Sequence, residues 1–267
     1  MFAVVALEAM LNSVPLYIQI IQGRTPIETA IAMLPFNLTV FFTAMLVVRL
    51  YDKVTPQRIG QLGFVICTVA LLWLAWVVRN DWSAPVVMIG LIVFGLGQGA
   101  LVTLVFNVLV TAAPKELAGD VGSLRGTTQN LAAAVGTALA GALLVGLLSG
   151  MILSQLDEHP ALPPELQAQV DLDNINFVTN ERLLEVTQGT TATPEQVEEA
   201  VRINTESRLR ALKIGLLIMA GVALLAIVPA SRLPGYKPGE IPHDPFETPE
   251  KARDSAALDD REAAAPA

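Results

Sequence analysis

Residues 29–78 read TAIAMLPFNLTVFFTAMLVVRLYDKVTPQRIGQLGFVICTVALLWLAWVV. Residues 29–48 carry no charge, and neither do residues 59–78. Between the two runs lie four charges, three of them positive: Arg49, Asp52, Lys53 and Arg58. About 20 apolar residues, rising about 1.5 Å each, cross the ~30 Å hydrocarbon core of a bilayer as one helix. The stretch therefore reads as two membrane helices joined by a short charged turn. A β-barrel is excluded, because its strands are shorter and alternate in polarity.

Runs of the same kind recur along the chain, at 2–22, 28–48, 59–78, 85–110, 127–150 and 212–230. Apolar residues make up 53% of the 267, and the mean hydropathy is +0.54. The expected fold is an all-α membrane protein with six transmembrane helices in one bundle. Residues 1–153 hold five of them, and 211–230 hold the sixth. Residues 154–210 form a polar loop with short amphipathic helices, and 231–267 form a disordered tail rich in Pro, Ala and charge. The net charge of −8 resides mostly outside the spans, since 154–210 holds eleven acids against four bases. No nucleic-acid surface is implied.

Several chemistries are excluded early. Cys67 is the single cysteine, so no disulfide forms within the chain. His159 and His243 lie in polar segments without ligand-spaced partners, so neither a metal nor a cofactor is implied. Neither GxSxG nor HExxH occurs, which argues against an enzyme.

The charges set the orientation. Arg49, Lys53, Arg58, Lys115, Arg125, Arg232 and Lys237 fall on one side of the six spans, against Arg24 and Arg79 in the short loops opposite. The positive-inside rule puts the first side, with both chain ends, in the cytoplasm of a bacterial cell and 154–210 outside the inner membrane. The chain opens MFAVVALEAMLNSVPLYIQ without a basic leader and reads as starting within a membrane helix. A truncated gene or fragment is expected, or a chain that pairs with a second copy or a missing N-terminal half.

Helix starts are written in the turn chemistry. Thr25-Pro26-Ile27-Glu28 and Thr193-Pro194-Glu195-Gln196 each place a capping Thr, a Pro at the first helical position and an acceptor side chain three residues after the cap. Thr55-Pro56 and Ser83-Ala84-Pro85 open helices in related ways, and Pro163-Pro164-Glu165 starts a short one in the loop. GLGQGA at 95–100 reads as close helix packing rather than a phosphate loop, because no strand precedes it.

Polar residues inside the spans are the candidate site. Glu8 is the acid well inside an apolar run, and such a carboxylate suits a proton carrier or a partner for a cationic substrate. Asn12 and Gln19 share its helical face. Gln98, Asn107, Gln129 and Asn130 are further candidates to line a pathway, or to bond to neighbouring helices. Arg125 either snorkels to the membrane edge or pairs with Asp120.

Three stretches resemble the fourteen-helix drug:proton antiporters of the major facilitator superfamily. PLYIQIIQGRTPIETAIAMLPF (15–36) resembles their L-Y-x-Q…G…S/T-P…L-P pattern. RLYDKVTPQRIGQLGF (49–64) resembles the second-half copy of the cytoplasmic loop motif. GLGQGALVTLVFNVLVTAAPKELAGDVGSLRGTTQNLAAAVGTALAGALL (95–144) resembles the helix pair that follows. The resemblance implies that the six spans correspond to the ninth to fourteenth helices. It further implies export of small hydrophobic substrates by alternating access, driven by protons. Arg49, Asp52 and Arg58 then occupy a motif that latches the cytoplasmic side. Thr55 stands where the motif has Gly, and Leu124-Arg125-Gly126 stands where exporters of organic cations often carry acids. A non-transporting six-helix scaffold, recruiting a partner through its external loop, is the competing expectation.

Overall fold

The computed structural model describes residues 1–11, 14–15, 18–19, 23–50, 53–79, 84–111, 118–158 and 193–233. Among these residues the architecture is all-helical, as the hydropathy pattern requires. The six helices are α1 Phe2–Leu11, α2 Pro26–Leu50, α3 Pro56–Val77, α4 Pro85–Thr111, α5 Ala118–Glu158 and α6 Pro194–Ala230. Four of them, α2, α3, α4 and α6, are long and apolar enough to cross a membrane. The candidate start Pro163-Pro164-Glu165, His159 and the tail beyond residue 233 lie outside the described residues.

Four helices begin with proline, where a missing N–H costs nothing because the first turn has no acceptor for it. At Thr25 the capping box is complete. Its backbone N–H donates to Glu28 Oε2 at 2.9 Å, and the N–H of Glu28 donates to Thr25 Oγ1 at 3.3 Å. Thr193 and Gln196 form the same reciprocal pair, at 2.9 and 3.3 Å. Thr55 differs: it is extended but makes no side-chain cap, and its carbonyl alone accepts from Arg58 and Ile59. The charged turn is thus started by Pro56 and not by a hydroxyl.

The 37 residues of α6 run without a break from Pro194 to Ala230. The stretch that the sequence divides at residue 210 into a loop helix and the sixth span is one helix, about 55 Å long at 1.5 Å per residue. Nothing between Pro194 and Lys213 breaks it, since that stretch has no internal Gly or Pro.

Helix α4 packs against α2 on one side and α3 on the other, and α3 packs against α6. Helix α5 lies between α6 and α1, and α1 also touches α6 and α4. Lipid supplies no hydrophobic drive between helices, so close packing through small residues holds them. A Cβ at Gly95 would stand 2.9 Å from the Phe36 carbonyl oxygen, and one at Gly99 2.7 Å from that of Val40. At Gly97 it would meet Cys67 Sγ at 2.5 Å and the Gly63 carbonyl oxygen at 2.8 Å. GLGQGA is therefore a seam on which α2 and α3 both close, as its sequence predicts. Gly136 plays the same part between α5 and α1, against Ala6 and Ala9.

Polar clasps fix the alternation of the helices. Gln57 Nε2 donates to the Ser231 carbonyl at 2.7 Å, tying the start of α3 to the end of α6. Trp73 Nε1 donates to the Val86 carbonyl at 3.0 Å, tying the end of α3 to the start of α4. Phe36 and Phe94 stack at 5.9 Å between α2 and α4.

Candidate functional site

The outward faces of the helices are unlike one another. Helix α2 shows Ile27, Ile31, Leu34, Leu38, Phe41 and Phe42, and α3 shows Leu62, Val65, Val69 and Trp76. Such surfaces suit lipid chains. In α1, by contrast, Val4, Leu7 and Leu11 are buried while Glu8 is half-buried; past its end Val14 and Ile18 are buried and Gln19 is half-buried. A carboxylate in the position of Glu8 is costly unless water, a counter-charge or a proton reaches it.

Gln98 approaches α1 from α4. It is 1% exposed, and its Nε2 donates to the Val4 carbonyl at 3.1 Å. Its Oε1 has no hydrogen-bond partner, a deficit worth about 1–3 kcal/mol in an apolar interior. Asn107, further along α4, is half-buried. On α5, Gln129 and Asn130 are exposed, interspersed with exposed Leu124, Leu131 and Leu139. The structure thus places Gln98 against α1 at Val4, one helical turn before Glu8, and leaves Gln129 and Asn130 exposed on α5. Asn12 lies outside the described residues, as does Asp52. Arg49 in the last turn of α2 and Arg58 in the first turn of α3 are both exposed, flanking the charged turn.

Two arrangements were not legible from residue types. Asn204, Ser207 and Arg208 are 9%, 0% and 2% exposed, a buried polar strip at i, i+3 and i+4 on α6. The sequence suggests only charges near a membrane edge there. The signal that would have found the strip is the apolar register of Ile203, Ala211 and Leu212, which puts 204, 207 and 208 on the packed side. Arg125 is half-buried, and its guanidinium lies 4.7 Å from the ring centroid of Phe106 on α4. Asn37, a polar residue in an apolar run, is satisfied within its own helix by the Met33 carbonyl at 3.2 Å.

Long apolar helices and small-residue seams mark a multi-pass helical membrane protein. The sequence model of the Major Facilitator Superfamily matches residues 1–137. The chain belongs to that family, as the three sequence stretches suggest. Multidrug resistance protein Stp of Mycobacterium tuberculosis is 26% identical over 225 residues, covering 84% of this chain and 40% of that protein. The tetracenomycin C resistance and export protein of Streptomyces glaucescens is 27% identical over 134 residues, 49% of this chain and 24% of its own length. The uncharacterized transporter YebQ of Escherichia coli is 27% identical over 132 residues, 49% of this chain and 29% of its own length. The chain therefore spans less than half the length of the relatives it matches.

Proposed function

We propose that this bundle is one half of a proton-coupled exporter of small hydrophobic molecules in the bacterial inner membrane, working by alternating access. The observation that carries the reading is the half-buried carboxylate of Glu8 on α1, set among helices whose outward faces are apolar. A carboxylate held at membrane depth can take up a proton on one side and release it on the other. Gln98, Asn107, Gln129 and Asn130, with Asn12, offer hydrogen bonds along the same route. The opposite wall comes from an N-terminal half or from a second copy. Both chain ends lie in the cytoplasm on this reading, as the positive charges of the short loops require. Arg49, Asp52 and Arg58 then act at the cytoplasmic turn, where Asp52 can accept charge-assisted hydrogen bonds from an arginine or a helix start.

The names of the relatives support export of drug-like compounds. They lend nothing to a scaffold that recruits partners. The test is ethidium efflux from cells and everted vesicles that carry the complete gene product. Replacing Glu8 with Gln keeps shape and hydrogen bonding but removes the proton site. Efflux should fall at least about ten-fold while insertion is unchanged. Efflux that persists in Glu8→Gln, or that ignores collapse of the proton gradient, refutes the reading.

A further inference from the structure

Three glycines decide how α4 is held. Gly95 and Gly99 abut backbone carbonyls of α2, and Gly97 abuts the backbone of α3. These contacts leave no slack, so α4 cannot shift against either neighbour without clashes. Gln98 emerges between them on the remaining face, toward α1. Its Nε2 reaches the Val4 carbonyl at 3.1 Å. In helical α1 that same carbonyl is the acceptor for the N–H of Glu8, four residues on. A carbonyl oxygen has two lone pairs and can take both donors. The side-chain amide of α4 is therefore bonded to the peptide group that sets the position of Glu8. Oε1 takes no partner, so the bond to Val4 is the whole polar contribution of Gln98 inside the protein. On its other side α1 rests on α5 through Ala6, Ala9 and Gly136. The bond at Val4 ties the height of α1 to α4, which its glycines hold against α2 and α3.

We propose that Gln98 is a positioning residue for Glu8, acting through the Val4 carbonyl. The inference rests on the reading of Glu8 as the proton-carrying acid. It assigns to Gln98 a task distinct from lining the pathway: the amide fixes where along the membrane normal the carboxylate stands.

Ethidium efflux by the complete gene product in everted vesicles tests it, with Glu8→Gln, Gln98→Leu and Gln98→Glu beside the wild type. Gln98→Leu keeps the volume and loses the donor; its maximal rate should fall about ten-fold with KM within about two-fold. Gln98→Glu regains an O–H donor to Val4 only when neutral, and burial favours that form. The titratable groups on the helices packed around it are Glu8 on α1 and Cys67 on α3. The facing runs 29–48, 59–78, 85–111, 126–156 and 214–230 carry no charge. Gln98→Glu should export within about three-fold of wild type at about pH 6 and fall to the level of Gln98→Leu at about pH 8.5. If Gln98→Leu fails to insert, the pH ratio of Gln98→Glu decides alone. A wild-type rate in Gln98→Leu, or a pH-independent defect in Gln98→Glu, overturns the positioning role while leaving Glu8 in place. Wild-type efflux in Glu8→Gln removes the reading of Glu8 and this inference with it.

Discussion

Replacing Gly97 with Ala adds one carbon where α3 and α4 touch. The new Cβ would lie 2.8 Å from the Gly63 carbonyl oxygen, 3.0 Å from the Cys67 nitrogen and 2.5 Å from Cys67 Sγ. The sulfur can turn away, but the two backbone atoms cannot, because both are fixed in the hydrogen-bonded ladder of α3. Ordinary contact starts near 3.4 Å, so the helices must part by about half an ångström along this seam. That loosens Gly63 against Leu101 and reaches Gly95 and Gly99 on the far side of α4. Overpacking of this kind costs about 1–3 kcal/mol. At about 2–4 °C per kcal/mol for a chain of this size, the melting midpoint should drop by roughly 2–12 °C. Cys67, the single cysteine of these 267 residues and fully buried, provides the assay. A thiol-reactive fluorogenic dye added to detergent-solubilised protein labels it only as the bundle opens. Gly221→Ala is the control: a Cβ there meets nothing within 4 Å, and alanine is favoured over glycine in helices by about 1 kcal/mol. Equal midpoints for Gly97→Ala and Gly221→Ala would refute the claim that GLGQGA is a load-carrying seam.

Other outcomes follow from the same contacts. Ser207 Oγ is buried without a hydrogen-bond partner, so Ser207→Ala should leave the melting midpoint unchanged or raise it; a fall of more than about 1 kcal/mol would reveal a bond to that hydroxyl. Thr193→Ala removes the hydroxyl that accepts from the Gln196 N–H, while the backbone N–H at 193 keeps its bond to Gln196 Oε1, and should weaken the first turns of α6 by about 1 kcal/mol. Hydrogen exchange should then quicken over 194–200 and stay unchanged over 214–230. Asp52→Asn should lower efflux without lowering membrane insertion; unchanged efflux would leave the charged turn with a topological role alone.

Much of the fold is written locally. Pro26, Pro56, Pro85 and Pro194 each mark a helix start because proline fixes the backbone angle and lacks an N–H that the first turn could not use. Charge-free runs mark the spans because hydrocarbon excludes unpaired charge. The continuity of α6 was obscured by Arg208, Arg210 and Lys213, which look like a membrane boundary although the helix passes straight through it. The site was legible only in part. Gln98, Gln129 and Asn130 are amides in apolar runs, yet Gln98 is buried and the other two are exposed. What separates them is which face each helix turns to its neighbours, and that depends on the glycines of α4 and on where α1 lies. The partner of Gln98 is a backbone carbonyl 94 residues away, and no side-chain type announces it.

The unbroken α6 also has a mechanical consequence. At about 55 Å it is nearly twice the ~30 Å depth of the hydrocarbon core. Its Ala230 end is pinned beside the start of α3, where Gln57 holds Ser231. A tilt of about ten degrees around that pin would sweep the Pro194 end through roughly 10 Å. A small rearrangement at the charged turn is thus amplified into a large excursion on the far side of the membrane. Conversely, anything that grips the Pro194 end gains leverage over the turn.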